Sequence, residues 1–201
     1  MNLASGNTFG ATVWSDGRRH YPMLPEVSPI QQCPHCKKYY FIDQAKVNYS
    51  DDPASAMRSC DKLGKLTYKQ LLEAYIQMDS LSLTRMQRWT LHYQLLMAYN
   101  DAFRREPESV AYPPTEVDEA LFHKVVDVLL EELRNGIDPT PDAERFQAEF
   151  LREIGRFEEA REVLMHHEDQ TDRWEVDAML RHIDDEDPLP FLLLKDGVQV
   201  C

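Results

Sequence analysis

The spacing of apolar residues changes once along the chain, and this change constrains the fold more than any other feature. Up to about residue 45, apolar and aromatic residues occur in short runs between Pro and Gly, which is typical of strands and turns. From Thr67 they recur every three or four positions, as on one face of a helix. We therefore predict an α+β, mainly α protein with a β-rich unit over 1–50, a linker over 51–66 and a helical domain over 67–201.

The first unit is expected to contain two β-hairpins. Residues 12–14 and 19–21 flank Asp16-Gly17, a pair that supplies the positive φ angles of a hairpin turn. Residues 30–32 and 38–42 flank Cys33-Pro34-His35-Cys36 in the same way. The second hairpin should therefore carry the two cysteines at its tip, as in a zinc ribbon.

Cys33 and Cys36 are the candidate metal ligands, because two thiolates three positions apart on a tight turn form half of a tetrahedral zinc site. The sequence leaves the other half open, with Cys60, His20 and His35 as candidates. His35 ranks last, since it lies between the cysteines and points away from a shared metal. Structural zinc and a degenerate knuckle without metal are equally compatible with this pattern. A thioredoxin-type redox pair is disfavoured because no βαβ context surrounds it.

Six helices are predicted after Thr67. The third is the most clearly bounded, because Thr115-Glu116-Val117-Asp118 forms a capping-box pattern before it and Asn135-Gly136 follows it. Thr140-Pro141 is expected to begin the fourth. The apolar segment 190–194 should dock against the body of the protein, with the β unit as one possible contact.

Charge is distributed unevenly and restricts the partners. The formal net charge is −13, yet residues 1–105 carry 13 Lys/Arg against 9 Asp/Glu, whereas residues 106–201 carry 9 against 26. We therefore expect no nucleic-acid binding by the second half, since phosphate contacts need clustered cations. A basic protein or peptide partner fits better. Four unevenly spaced cysteines and no long apolar run favour a cytoplasmic protein without a membrane partner.

One segment carries a resemblance. Residues 154–160, Ile-Gly-Arg-Phe-Glu-Glu-Ala, followed by Leu164, resemble the centre of a tetratricopeptide repeat, where Gly separates two antiparallel helices and Ala allows them to pack closely. The order of Trp14-Ser15-Asp16-Gly17, the cysteine pair and these helices is similar to that in a group of uncharacterised bacterial proteins. That resemblance implies an antiparallel helical array, but it does not indicate an activity. Relatives often have Gly after the second cysteine, where this chain has Lys37, which would require a strained positive φ or a different turn.

The function expected from these patterns is that of a non-enzymatic adaptor whose helical array binds a protein or peptide. The alternative is a metal-dependent enzyme or sensor that uses Cys33 and Cys36. No catalytic or cofactor-binding residue is predicted, because Asp and Glu read only as solvated charge on helix faces. Glu162 and His166 lie one helical turn apart, but a solvated pair is the favoured interpretation.

Overall fold

Both hairpins and all six helices are present in the computed structural model, which describes residues 10–22, 26–45, 64–79, 81–104, 116–137, 142–166, 173–195 and 198–200. The protein is α+β and mainly α, as predicted. Its strands are β1 (Thr12–Trp14), β2 (Arg19–His20), β3 (Ile30–Gln32), β4 (Tyr39–Phe41), β5 (Leu192–Lys195) and β6 (Val198–Gln199). Its helices are α1 (Tyr68–Asp79), α2 (Arg85–Asn100), α3 (Glu116–Arg134), α4 (Asp142–Glu153), α5 (Phe157–Met165) and α6 (Arg173–Asp184).

The chain groups into two compact units that divide it differently from the predicted boundaries. Unit 1 comprises residues 1–24 and 99–201, and unit 2 comprises residues 25–98. Unit 1 is discontinuous because its first hairpin pairs with a strand from the end of the chain. The division into a β-rich unit over 1–50, a linker over 51–66 and a helical domain over 67–201 stays a prediction. Among the helices of the described ranges, none is both long and apolar enough to cross a membrane.

The sheet of unit 1 joins the two ends of the chain. Its strand order is β2-β1-β5-β6, and every pairing is antiparallel. Val13 pairs with Arg19 on one side and with Leu194 on the other. The register shifts between Val13 and Trp14, after which Ser15 exchanges backbone and side-chain hydrogen bonds with Phe191. The predicted docking of the apolar segment 190–194 is thus confirmed, and its contact is β1.

The predicted turn at Gly155 lies between helices α4 and α5 of unit 1. Gly155 has a φ of +75°, and its N–H and that of Arg156 donate to the carbonyls of Arg152 and Leu151 at 2.9 Å each. This is the Schellman arrangement, which favours glycine at the left-handed position. Ala160 is fully buried in α5, which contacts both α4 and α6. The helix pair predicted at residues 154–160 is therefore confirmed.

Unit 2 packs the β3–β4 hairpin against α1. The hairpin is the predicted one, and its antiparallel register places Gln31 opposite Tyr40. It buries Ile30, Tyr39 and Phe41. The Tyr39 hydroxyl donates to Glu73 at 2.8 Å, and the Tyr39 N–H donates to Gln77 at 3.2 Å. A short 3₁₀ turn over Ile42–Gln44 follows β4. Most of the predicted linker, together with Thr115 and Thr140-Pro141, lies outside the described residues.

We predict that Gly155→Val and Ala160→Leu each destabilise the protein by about 1–3 kcal/mol, because one forces a β-branched residue into a left-handed φ and the other overpacks a helix contact. No atom lies within 4 Å of a Cβ added at Gly155, so the first penalty is backbone strain. Chemical denaturation measures both effects. The controls are Glu158→Gln and Glu159→Gln, exposed positions where changes stay within about 0.5 kcal/mol. Critical glutamates and tolerant small residues would contradict this account of the α4–α5 turn.

Candidate functional site

A group of buried charged side chains occupies the interior of unit 1. Asp16, in the β1–β2 turn, has no exposed side-chain area. One carboxylate oxygen, Oδ1, accepts the Arg18 N–H at 3.1 Å, and the other, Oδ2, accepts the Asn100 side-chain amide at 2.9 Å. The Arg104 guanidinium forms an ion pair with the same Oδ2. The turn of the first hairpin is therefore held by polar contacts to the end of α2 and the residues after it.

A second ion pair lies within α4. Arg152 and Glu149 are both fully buried, and the guanidinium donates to the two Glu149 oxygens at 2.9 and 2.7 Å. Arg152 also donates to the Asp187 carbonyl and lies 5.0 Å above the Phe191 ring. Two-point pairing of this kind is among the strongest polar contacts in proteins. It compensates part of the cost of burying both charges.

Glu153 is the carboxyl group left over after these two pairs. It is 6% exposed, and its Oε1 accepts the Asn100 side-chain amide at 2.9 Å. Its Oε2 has no hydrogen-bond partner among the described residues. Burial, and next the neighbouring Glu149 carboxylate, raise the pKa of Glu153 to about 8, although Arg152, Asn100 and Arg104 act in the opposite direction. Glu153 is therefore largely protonated near neutral pH.

Glu153 borders a cleft of about 160 Å³ in unit 1, several times the ~30 Å³ that one molecule occupies in liquid water. We call it the Glu153 cleft. The Tyr99 and Phe122 rings stack beside it with their centroids 4.1 Å apart. Residues from the ends of α2 and α4, from α3 and from the segment before β5 line it: Tyr99, Asn100, Phe103, Glu119, Phe122, His123, Glu153, Pro188, Leu189 and Pro190.

The acidic side chains that line the Glu153 cleft, Glu119 and Glu153, give it a negative charge when they are ionised. The pKa of the Tyr99 phenol is raised to about 12, first by burial and then by Glu119, Asp118 and Glu153. The nearby cations do not reverse this sign, because Arg104 and Arg152 are engaged with carboxylates. The cleft therefore disfavours anions and favours cationic or hydrogen-bonding ligands. A buried carboxyl with a perturbed pKa in a cleft is also a recognised indicator of a functional site.

The structure places Cys33 and Cys36 in the turn between β3 and β4, as predicted. Cys33 N–H donates to the Lys38 carbonyl at 2.8 Å, and Lys37 N–H donates to the Cys33 carbonyl at 3.0 Å. Lys37 has a φ of +60°, the positive value expected at this position. Hydrogen bonds from the Cys36 and His35 backbones, then from the Cys36 side chain, lower the pKa of the Cys33 thiol. Both cysteines are free thiols.

The other candidate ligands do not complete a metal site in the described part of the chain, where no group of three or more His, Cys, Asp or Glu residues could hold an ion. His35 is exposed in the turn itself, and His20 belongs to unit 1. Cys60 lies outside the described residues. Glu162 and His166 do not form a side-chain pair, since His166 Nδ1 lies 2.7 Å from the Glu162 backbone carbonyl.

The interpretation of Asp and Glu as only solvated charge is wrong for α4. Arg145, Glu149 and Arg152 recur at helical spacing with alternating sign, and all three are buried. This spacing was the signal available in the sequence, because a stripe of alternating charge can mark a buried ionic face as well as a solvated one. Nothing in the sequence distinguished Asp16 from an ordinary turn residue.

Comparison of the chain with protein-family models, curated proteins and solved structures finds no match. The geometry and chemistry of the residues themselves are therefore the basis for inferring a function.

We predict that the stability of the wild-type protein relative to Glu153→Gln decreases as the pH rises from about 5 to about 8. The folded-state pKa lies above the unfolded value, so the unfolded state loses the Glu153 proton first and the folded state holds it longer. The Glu153 contribution is thus fully present below the unfolded pKa and falls by about 1.4 kcal/mol per pH unit through this window. Denaturant melts of both proteins across the pH range give the difference.

Glu162→Gln is the matched control, because Glu162 is exposed on α5. Its difference from the wild type should be flat over the same range. If the Glu153→Gln difference is also flat, then Glu153 titrates as an ordinary solvated carboxyl, and if it rises with pH, the folded state favours the ionised carboxylate. Either result would contradict the raised pKa of Glu153.

Proposed function

We propose that this protein is a non-enzymatic interaction protein whose helical unit 1 binds a basic protein partner. The observation that carries the proposal is the separation of charge in unit 1. Several of its arginines are engaged in ion pairs, such as Arg145 with Glu175 at 3.2 Å, whereas many of its acids are exposed. The exposed acids on α3, α5 and α6 include Glu119, Glu131, Glu158 and Glu162. Four further exposed acids, Asp127, Glu159, Asp177 and Asp184, form surface ion pairs with arginines.

Such a surface steers a cationic partner towards the protein and contributes more to the rate and specificity of association than to its affinity. The consecutive contacts of α3, α4, α5 and α6 give it a helical scaffold of the kind that interaction proteins use. A tetratricopeptide-like array is part of this proposal.

The test is titration of the full chain with a lysine-rich peptide, followed by calorimetry or fluorescence anisotropy. We expect saturable binding that weakens strongly between about 20 and about 300 mM salt, because the Debye length shortens over this range. A glutamate-rich peptide of equal length is the control and should not bind. Absence of lysine-rich peptide binding at the lowest salt would overturn the proposal.

A second proposal concerns unit 2, where Cys33 and Cys36 would supply two ligands of a structural zinc ion. It is favoured by the positive φ of Lys37 and by the hydrogen bonds to the Cys33 thiol, which suit a thiolate held in a knuckle turn. Cys60 or a histidine would supply the remaining ligands. Bound zinc would fix the β3–β4 turn and leave the interaction function unchanged. A metal-dependent enzyme or sensor is the alternative, and it requires an open coordination position.

We predict that protein purified without chelator carries about one equivalent of zinc, and that Cys33→Ser releases the metal and lowers the melting temperature. Metal analysis and thermal denaturation check both effects. Cys60→Ser and His20→Ala, measured in parallel, identify the missing ligands. A metal-free wild type whose stability is unchanged by Cys33→Ser would leave a knuckle turn without metal.

A further inference from the structure

We propose that the Glu153 cleft binds the ammonium group of a lysine side chain presented by a basic partner protein. This inference deepens the proposed function, on which it rests for the source of the lysine. The observation that carries it is the buried Oε2 of Glu153, which has no hydrogen-bond partner among the described residues although Glu153 borders a cleft. A buried polar atom without a partner is costly, and a ligand with N–H donors would satisfy it.

The charge balance around Glu153 selects a cation. Asp16 is paired with Arg104, and Glu149 is paired with Arg152. An ionised Glu153 would therefore add one negative charge to a group that is otherwise neutral. A bound ammonium would neutralise this charge at short range, in surroundings that already favour cations over anions.

The hydrogen bonding of Glu153 selects lysine over arginine. Its Oε1 already accepts the Asn100 amide at 2.9 Å, so only Oε2 remains for a ligand. The guanidinium fork of arginine binds best to both oxygens of a carboxylate, whereas an ammonium acts as a compact charge and can bind one. Because Asn100 occupies Oε1, Glu153 can accept a hydrogen bond from the ligand only through Oε2.

The walls of the Glu153 cleft suit the remainder of a lysine side chain. The stacked rings of Tyr99 and Phe122 provide aromatic surface that attracts cations. Leu189 is 45% exposed and borders the cleft with Pro190, so these residues can contact the aliphatic stem. The exposed Glu119 carboxylate on α3 would attract the ammonium as it approaches.

Binding should be linked to the loss of the Glu153 proton. The ammonium displaces the proton from Oε2, the proton passes to solvent, and a carboxylate–ammonium pair remains. The titratable and charged groups near Glu153 and the cleft come from the elements around it: Asp16, Tyr99, Arg104, Asp118, Glu119, His123, Glu149, Arg152 and Asp187. Among these groups, we assign to Glu153 the proton that is lost when the ligand binds.

The experiment titrates the full wild-type chain with three peptides of identical sequence that differ at one central position, which is Lys, Arg or ε-acetyl-lysine. Isothermal calorimetry at about pH 7, in two buffers of different ionisation enthalpy, measures affinity and proton release together. We expect the Lys peptide to bind most tightly and to release close to one proton. Butylamine, a free primary amine, is the fourth probe and should bind far more weakly if the peptide contributes contacts.

Glu153→Gln is the decisive variant. It keeps an oxygen for the Asn100 amide and removes the ionisable group, so we expect about tenfold or greater loss of Lys-peptide affinity together with loss of proton release. Glu162→Gln is the matched control and should change neither. Leu189→Lys places a competing cation at an exposed position on the cleft and should also weaken binding, which keeps the test available if the Gln variant does not fold.

The two proposals fail in different ways. If all three peptides bind equally and Glu153→Gln has no effect, the Glu153 cleft is not the lysine site, although basic-partner binding stands. If none of the peptides binds at low salt, the interaction proposal fails as well. If butylamine binds as tightly as the Lys peptide, the cleft takes a free amine and the assignment to a partner's side chain is overturned.

Discussion

The buried carboxylate of Asp16 is the contact on which unit 1 depends most. A charge with no exposed area is tolerated only when hydrogen bonds and an opposite charge replace its water, and Asp16 obtains these from Asn100 and Arg104. Both partners lie more than 80 positions away in the sequence. The hairpin turn, the end of α2 and the residues after it are therefore held together by one side chain, and loss of Arg104 would remove an opposite charge that compensates its burial.

The same polar interior determines how α4 is used. Residues 148–153 of this helix are all buried, so it is enclosed on every side in its second half, as a soluble helix is only when it lies within a core. The free-energy cost of burying its polar side chains would be prohibitive without the Arg152–Glu149 pair and the carbonyl of Asp187. The segment after α6 therefore contributes a hydrogen-bond acceptor to α4, and it continues into β5, which closes the sheet against β1.

Local patterns predicted local structure well. Asp16-Gly17 indicated the first hairpin, and the stripe over α3 and the glycine at position 155 indicated helices and their ends, because each depends on neighbours within a few residues. The β1–β5 pairing could not be predicted, since its partners are separated by about the whole chain and β5 has no strand alternation of its own. The apolar composition of segment 190–194 predicted that it docks against the protein, but it did not predict the register in which β5 pairs with β1.

The candidate sites differ in the same way. The Cys33–Cys36 turn was visible because its geometry is local, including the strained Lys37. The Glu153 cleft was not, because its character arises from burial: the same sequence of charges on a solvated helix would carry ordinary pKa values and no unsatisfied atom. Arg145, Glu149 and Arg152 were detectable as a stripe, but only packing decides whether such a stripe faces water or the core.

Asn100 can donate a hydrogen bond to Glu153 in either protonation state of the carboxyl group. Its side-chain amide donates one proton to Asp16 and the other to Glu153 Oε1 at 2.9 Å each. An amide is neutral, so both hydrogen bonds persist whether Glu153 is ionised or not, provided that the proton resides on Oε2. A cation at Asn100 would fix Glu153 as a carboxylate, and an acid would add a further buried charge. In the proposed lysine complex, this neutral donor would leave Glu153 Oε2 to lose its proton while the hydrogen bond to Oε1 stays in place.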